Sequence, residues 1–179
     1  MPTCEINALL QSSACNETGG IVEVYIGKVS EIDKAATSTD FTAATWILTD
    51  ITTSGVFTVA EADQMTSALE QKFSEADKSW TQTATINITG VDAALVAATR
   101  KIAYCCDLAL ICVYGDGRKV LMGLDYSDSA LLASKPIEKG KFAEITDASN
   151  QRNGKHTMSF TYVIKTKEPA LTYTGAIPA

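Results

Sequence analysis

Hydrophobic and polar positions change their rhythm along this chain, and each change of rhythm predicts an element. Ile21-Val-Glu-Val-Tyr-Ile26 is β-branched and aromatic and is bracketed by Gly20 and Gly27, which predicts a first strand. From Thr81 to Thr89 threonine alternates with alanine and isoleucine. At a period of two, Thr83, Thr85, Asn87 and Thr89 then share one face of a half-buried strand, opposite Ile86 and Ile88. Leu108 to Tyr114 is a continuous apolar run, and Lys119 to Leu124 follows it after Gly115-Asp-Gly-Arg118, a connection of the kind antiparallel hairpins use. His156 to Lys165 alternates again, with Met158, Phe160, Tyr162 and Ile164 on one side and Thr157, Ser159, Thr161 and Val163 on the other.

Other stretches are less regular. Trp46 to Ile51 and Gly55 to Val59 read as two further strands that form a hairpin around Thr52-Thr-Ser-Gly55, with Trp46 in a core-like run. Between Glu61 and Trp80, Met65, Leu69 and Phe73 fall at helical spacing, whereas Leu69, Gln71 and Phe73 suit one face of a strand. The second pattern is preferred for Glu70 to Phe73. Residues 91–104 carry the stripe Leu95, Ala98 and Ile102, with Asp92 in the first turn and Arg100 and Lys101 near the end, as a helix dipole favours. With Asn87 and Leu124 as its limits, this gives a compact β-α-β-β module with almost no linker.

The expected architecture is mainly β: a β-sandwich or small barrel flanked by one α-helix at 91–104. A polar arm over 1–20 precedes a single domain over 21–165, which carries a long interaction loop over 125–150. A C-terminal extension over 166–179, with Pro169 and Pro178, is expected to be flexible or ordered by a partner.

Composition narrows the function classes. The net charge is −6 and the fifteen Lys and Arg are scattered, so the chain has no basic footprint for tight nucleic-acid binding. No window has the uninterrupted apolar length of a membrane helix, and Met1 to Ile6 has no signal-peptide pattern, so synthesis in a cytoplasm is expected. The cysteines Cys4, Cys15, Cys105, Cys106 and Cys112 are odd in number and lack the spacing of a disulfide framework. The pair Cys105-Cys106 with Cys112 has no CxxC and reads as buried free thiols rather than a zinc site.

The one histidine, His156, opens a strand with no acidic or cysteine neighbour in sequence and reads as a strand-edge residue. Gly115-Asp-Gly117 lacks the lysine of a phosphate loop, and Gly19-Gly20 lacks the repeats of a dinucleotide fingerprint. The carboxylate pairs Glu61 with Asp63, and Asp125 with Asp128, read as solvated faces, because nothing marks an apolar pocket that would split their pKa values. The sequons at Asn16 and Asn87 carry meaning only in a secreted protein. No catalytic, cofactor-binding or metal-binding residue is expected, no cofactor is implied, and the chain reads as a structural protein rather than an enzyme.

This order of elements resembles that of the tail tube proteins of long-tailed bacteriophages. Two strings add to the likeness, Cys15-Asn-Glu-Thr-Gly-Gly-Ile-Val-Glu-Val-Tyr25 and Arg152-Asn-Gly-Lys-His-Thr-Met-Ser-Phe160, which look like blocks of small virion proteins from phages and prophages of Bacteroidetes bacteria. The resemblance covers most of the chain. It implies a virion protein made in the bacterial cytoplasm that forms rings, commonly hexamers, by joining neighbouring sheets into one inner β-barrel. Rings stack through loops and termini, the partners are further copies and other tail proteins, and DNA passes through the lumen without specific binding or any membrane contact. A head-tail connector or capsid decoration protein would share the small β fold. From other classes, a monomeric sandwich that binds carbohydrate would need exposed aromatic platforms such as Trp80 and Tyr126. A thiol enzyme would need a low-pKa cysteine near His156.

Overall fold

The computed structural model describes residues 20–42, 44–64, 66–89, 107–125, 138–150 and 155–178. It is mainly β, in two sheets with one short helix. The strands are β1 (Ile21–Lys28), β2 (Phe41–Thr42), β3 (Ile47–Leu48), β4 (Thr58–Glu61), β5 (Ala68–Ser74), β6 (Ser79–Thr89), β7 (Leu108–Tyr114), β8 (Lys119–Met122), β9 (Glu138–Asn150), β10 (Lys155–Thr166) and β11 (Leu171–Tyr173). The larger sheet has seven strands in the order β2-β3-β11-β8-β7-β1-β4, and the smaller has four in the order β5-β6-β10-β9.

The alternations at 81–89 and 156–165 determine how the sheets meet. Ala84, Ile86 and Ile88 of β6 and Met158, Phe160, Tyr162 and Ile164 of β10 point inward, and they join Ile21, Val24, Leu108, Leu110, Cys112 and Met122 of the large sheet in one buried cluster. Ala109 and Ile111, the intervening residues of β7, point the other way. With Leu121, Leu171, Tyr173, Leu48, Phe41, Ile51 and Phe57 they form a second cluster on the far side of the large sheet. Leu108 to Cys112 are all at most 2% exposed, because β7 has a core on each face. That double burial is why its sequence is apolar without alternation.

Strand β7 and β8 form the expected hairpin, with Ile111 opposite Leu121. Gly117 at φ +85° supplies its turn, where an L side chain would be strained. The short helix α1 (Lys34–Ser38) lies in the excursion between β1 and β4, capped by the Asp33 carboxylate, which accepts from the N–H groups of Ala35 and Ala36 at 3.1 Å. One hydroxyl ties the two sheets together. Tyr162 of β10, fully buried, donates to the Leu108 carbonyl at 2.6 Å. A Cβ added at Gly140 would lie 1.7 Å from that oxygen, so glycine there is a packing requirement.

Three expectations are corrected. Residues 138–150, placed inside a long loop, are a thirteen-residue strand along β10. Their alternation is broken by a bulge, since Thr161 opposes Glu144 while Tyr162 opposes Phe142, leaving Ala143 over. The extension after Thr166 is not free, because Leu171–Tyr173 is an interior strand of the large sheet, with Leu171 0% and Tyr173 1% exposed. The hairpin expected around 52–55 does not form. β3 pairs with β2 and, in parallel, with β11, while β4 pairs with β1. The arm before Gly20, the helix at 91–104 and the loop at 126–137 lie outside the described residues.

Candidate assembly surface

The small sheet differs from an ordinary sandwich half in its margins. Strand β5 pairs with β6 from Ala68↔Thr85 to Ser74↔Ser79, and β9 pairs with β10 from Asn150↔Lys155 to Glu138↔Lys165. Among the described residues neither β5 nor β9 has a second strand partner. Each therefore presents a row of backbone donors and acceptors that another chain could take up. Most of β5 is exposed: Ala68, Glu70, Gln71, Lys72 and Phe73 all face solvent. It is held from behind, where the Gln71 side chain accepts from the Ala170 N–H at 2.8 Å and Leu69 packs on the inner cluster. At its hairpin end Phe73, 49% exposed, lies 5.3 Å from the Trp80 ring. Lys165 reaches across to Asp77 at 3.0 Å, and its hydrogen bond holds the Asp77 carboxyl below the usual range.

The outer face of this sheet is built from the other half of the two alternations. Thr81, Thr83, Thr85 and Asn87 of β6 stand beside Lys165, Val163, Thr161 and Ser159 of β10 in register, all partly exposed. Apart from Lys165 at one end, these outward positions are uncharged. At this end of the sheet polar groups are instead buried, and they are paired in part, since Gln82 Oε1 and Ser79 Oγ have no hydrogen-bond partner. Gln82 Nε2 donates to Thr166 Oγ1 at 2.7 Å and to the Glu168 carbonyl at 3.1 Å, and the Asp125 carboxylate accepts from the Lys167 N–H at 3.2 Å.

Among the described residues, those with chemical potential lie apart in the fold. Cys112 is buried in the inner cluster, and loss of solvent pushes its thiol up to about 12, the opposite of an activated nucleophile. His156 is the second residue of β10, in register with Ser149 of β9, whereas Cys112, the one cysteine among the described residues, is in β7. Glu61 lies exposed in β4 opposite Glu23, while Asp63 uses its backbone to bind Asn87, so that pair frames a turn. Asp125 is 2% exposed rather than on a solvated face, as its bond to Lys167 requires. Cys4, Cys15, Cys105, Cys106, Tyr126 and Asp128 lie outside the described residues.

Among the described residues no three His, Cys, Asp or Glu side chains cluster as metal ligands, and no helix is long and apolar enough to cross a membrane. The Gly115-Asp-Gly117 turn binds its own carboxylate, with Asp116 accepting from the Arg118 N–H at 3.0 Å and from Arg118 Nε at 2.5 Å. Trp46 sits at φ +60° in the turn before β3 and is 37% exposed, so it serves a turn and not the expected core. A cleft of about 190 Å³ beside Ile26, Lys28, Glu31 and Val56 carries one ion pair, Lys28 with Glu31 at 3.0 Å.

Alternation had marked β6 and β10, and thus the outer face. The β9 margin had no such mark, because the bulge at Ala143 shifts its register along β10 and breaks the period of two. Compared with protein-family models, curated proteins and solved structures, the chain matches none of them.

Proposed function

We propose that this chain is a structural subunit that polymerises through the small sheet, as the tail tube protein of a long-tailed phage does. The observation that carries the reading is a four-stranded sheet with one face committed to a core, the other polar, and a long margin on each side that has no strand partner among the described residues. Two such margins on one copy, β5 and β9, are different surfaces, so their contact is head-to-tail, and a head-to-tail contact either closes into a ring or runs on as a filament. Backbone pairing between copies supplies the adhesion and satisfies the otherwise open edges. Four strands from each of about six copies, at about 4.8 Å spacing, make a wall roughly 115 Å around, enough for a continuous barrel with a bore.

The same reading makes the partners further copies of the chain and other tail proteins, with DNA as cargo, and it needs neither an active site nor a cofactor. Negative-stain electron microscopy across a concentration series, with light scattering for mass, tests it. Stacked hollow tubes are expected. Single rings that never stack would favour a connector, and a monomer at every concentration would overturn the reading.

A further inference from the structure

If copies join through β5 and β9, the geometry also decides which face of the small sheet turns inward, and we propose that the threonine rows of β6 and β10 form the wall that passing double-stranded DNA meets, kept non-adhesive because it is uncharged. This rests on the ring reading above. A closed wall of small sheets has an inside and an outside. The apolar face of each small sheet already carries a seven-stranded sheet, which in turn carries a second cluster and the excursion between β1 and β4 on its far side. The broader, thicker layer needs the larger circumference, so it lies outside. Thr81, Thr83, Thr85, Ser159 and Thr161 then face the bore.

Duplex DNA is held mainly by cations set against its phosphates. The outward positions of β6 and of Ser159 to Val163 offer hydroxyl, amide and methyl groups only. The charges described on this face lie towards its margins. Glu70 and Lys72 of β5 are 3.1 Å apart and Lys165 is held by Asp77, while Lys141 on β9 stands in register with Val163. The wall can hydrogen-bond water along its whole length yet offers no row of cations to a phosphate backbone.

Electron cryo-microscopy of wild-type tubes tests the orientation. A bore lined by Thr83, Thr85 and Thr161 is expected, and a bore lined by the large sheet overturns the proposal while leaving the ring reading intact. The chemistry is tested by assembling the triple variant Thr83→Lys, Thr85→Lys, Thr161→Lys with short duplex DNA at low salt. At least about a tenfold rise in co-sedimenting, nuclease-resistant DNA is expected. Val56→Lys with Val59→Lys, on exposed positions of and beside β4, should instead hold only nuclease-sensitive DNA. Nuclease-sensitive binding by both variants, or no rise with the triple variant, overturns the proposal. Should the triple variant not assemble, Thr83→Lys alone gives the same comparison with a smaller gain. A wild type that forms no ring overturns the underlying reading, and this proposal with it.

Discussion

The two sheets solve the problem of their surfaces in opposite ways. The large sheet is covered on both faces, and its margins are a two-residue strand, β2, and a four-residue strand, β4. The small sheet has one face in the core, a hydroxyl-rich face outward, and margins of seven and thirteen residues. Short edge strands are a common way to prevent unwanted pairing, and long open ones invite it. The contrast is what the proposed assembly would use, with the large sheet stabilising the chain and the small sheet offering its margins to a neighbour.

Substitutions and truncations can sharpen that contrast. The largest effect is expected from ending the chain after Lys167, which removes β11 from between β8 and β3. Loss of the cooperative thermal transition by circular dichroism is expected, and retention of it would mean that the large sheet closes without this strand. Leu110→Ala, at a fully buried site of β7, should cost about 3 kcal/mol in urea unfolding. Tyr162→Phe removes the bond to Leu108 and leaves a buried carbonyl without that donor, for about 1–2 kcal/mol.

A pH effect follows from Cys112. Its folded pKa is raised from 9.0 to about 12 by burial, so the stability due to a neutral buried thiol is complete below pH 9 and is lost as pH rises towards 12. Alkaline unfolding monitored by fluorescence should begin later in Cys112→Val. The smallest effect belongs to the small sheet, where Thr83→Val on the outward face should change stability by no more than about 0.5 kcal/mol. A cost comparable to that of Leu110→Ala would show that this face is structurally committed after all.

Much of this contrast could be read from residue order. The rhythm of β6 and β10 separated the isoleucines from the threonines, and the apolar run of β7 marked a hairpin strand, while the core on each of its faces came only from the structure. Three features escaped because their causes are not local. The bulge at Ala143 interrupts the period of β9, so its sequence does not alternate as a strand should and reads as a loop. Strand β11 has three residues between Pro169 and Pro178, and only partners at Ile47–Leu48 and Lys119–Leu121 make it a strand. The same distant pairing draws β3 away from the neighbour that turn chemistry around 52–55 had suggested. The margins of the small sheet were half legible: β5 could be located from its apolar spacing, whereas β9 had no usable pattern.

The position of β11 also sets an order of events. It is later in the chain than every other strand described, yet it sits inside the large sheet, bonded to β8 on one side and β3 on the other. During synthesis the segments of β1 to β10 emerge first, and until β11 arrives β8 and β3 have an empty seat between them. Pairing across more than 120 residues is slow to form because a long loop must close first. The small sheet, made of the neighbouring hairpin partners β5–β6 and β9–β10, carries no such delay in those pairings. If the small sheet assembles as proposed, the rate at which this one short strand docks would govern how many subunits enter assembly with the large sheet shut.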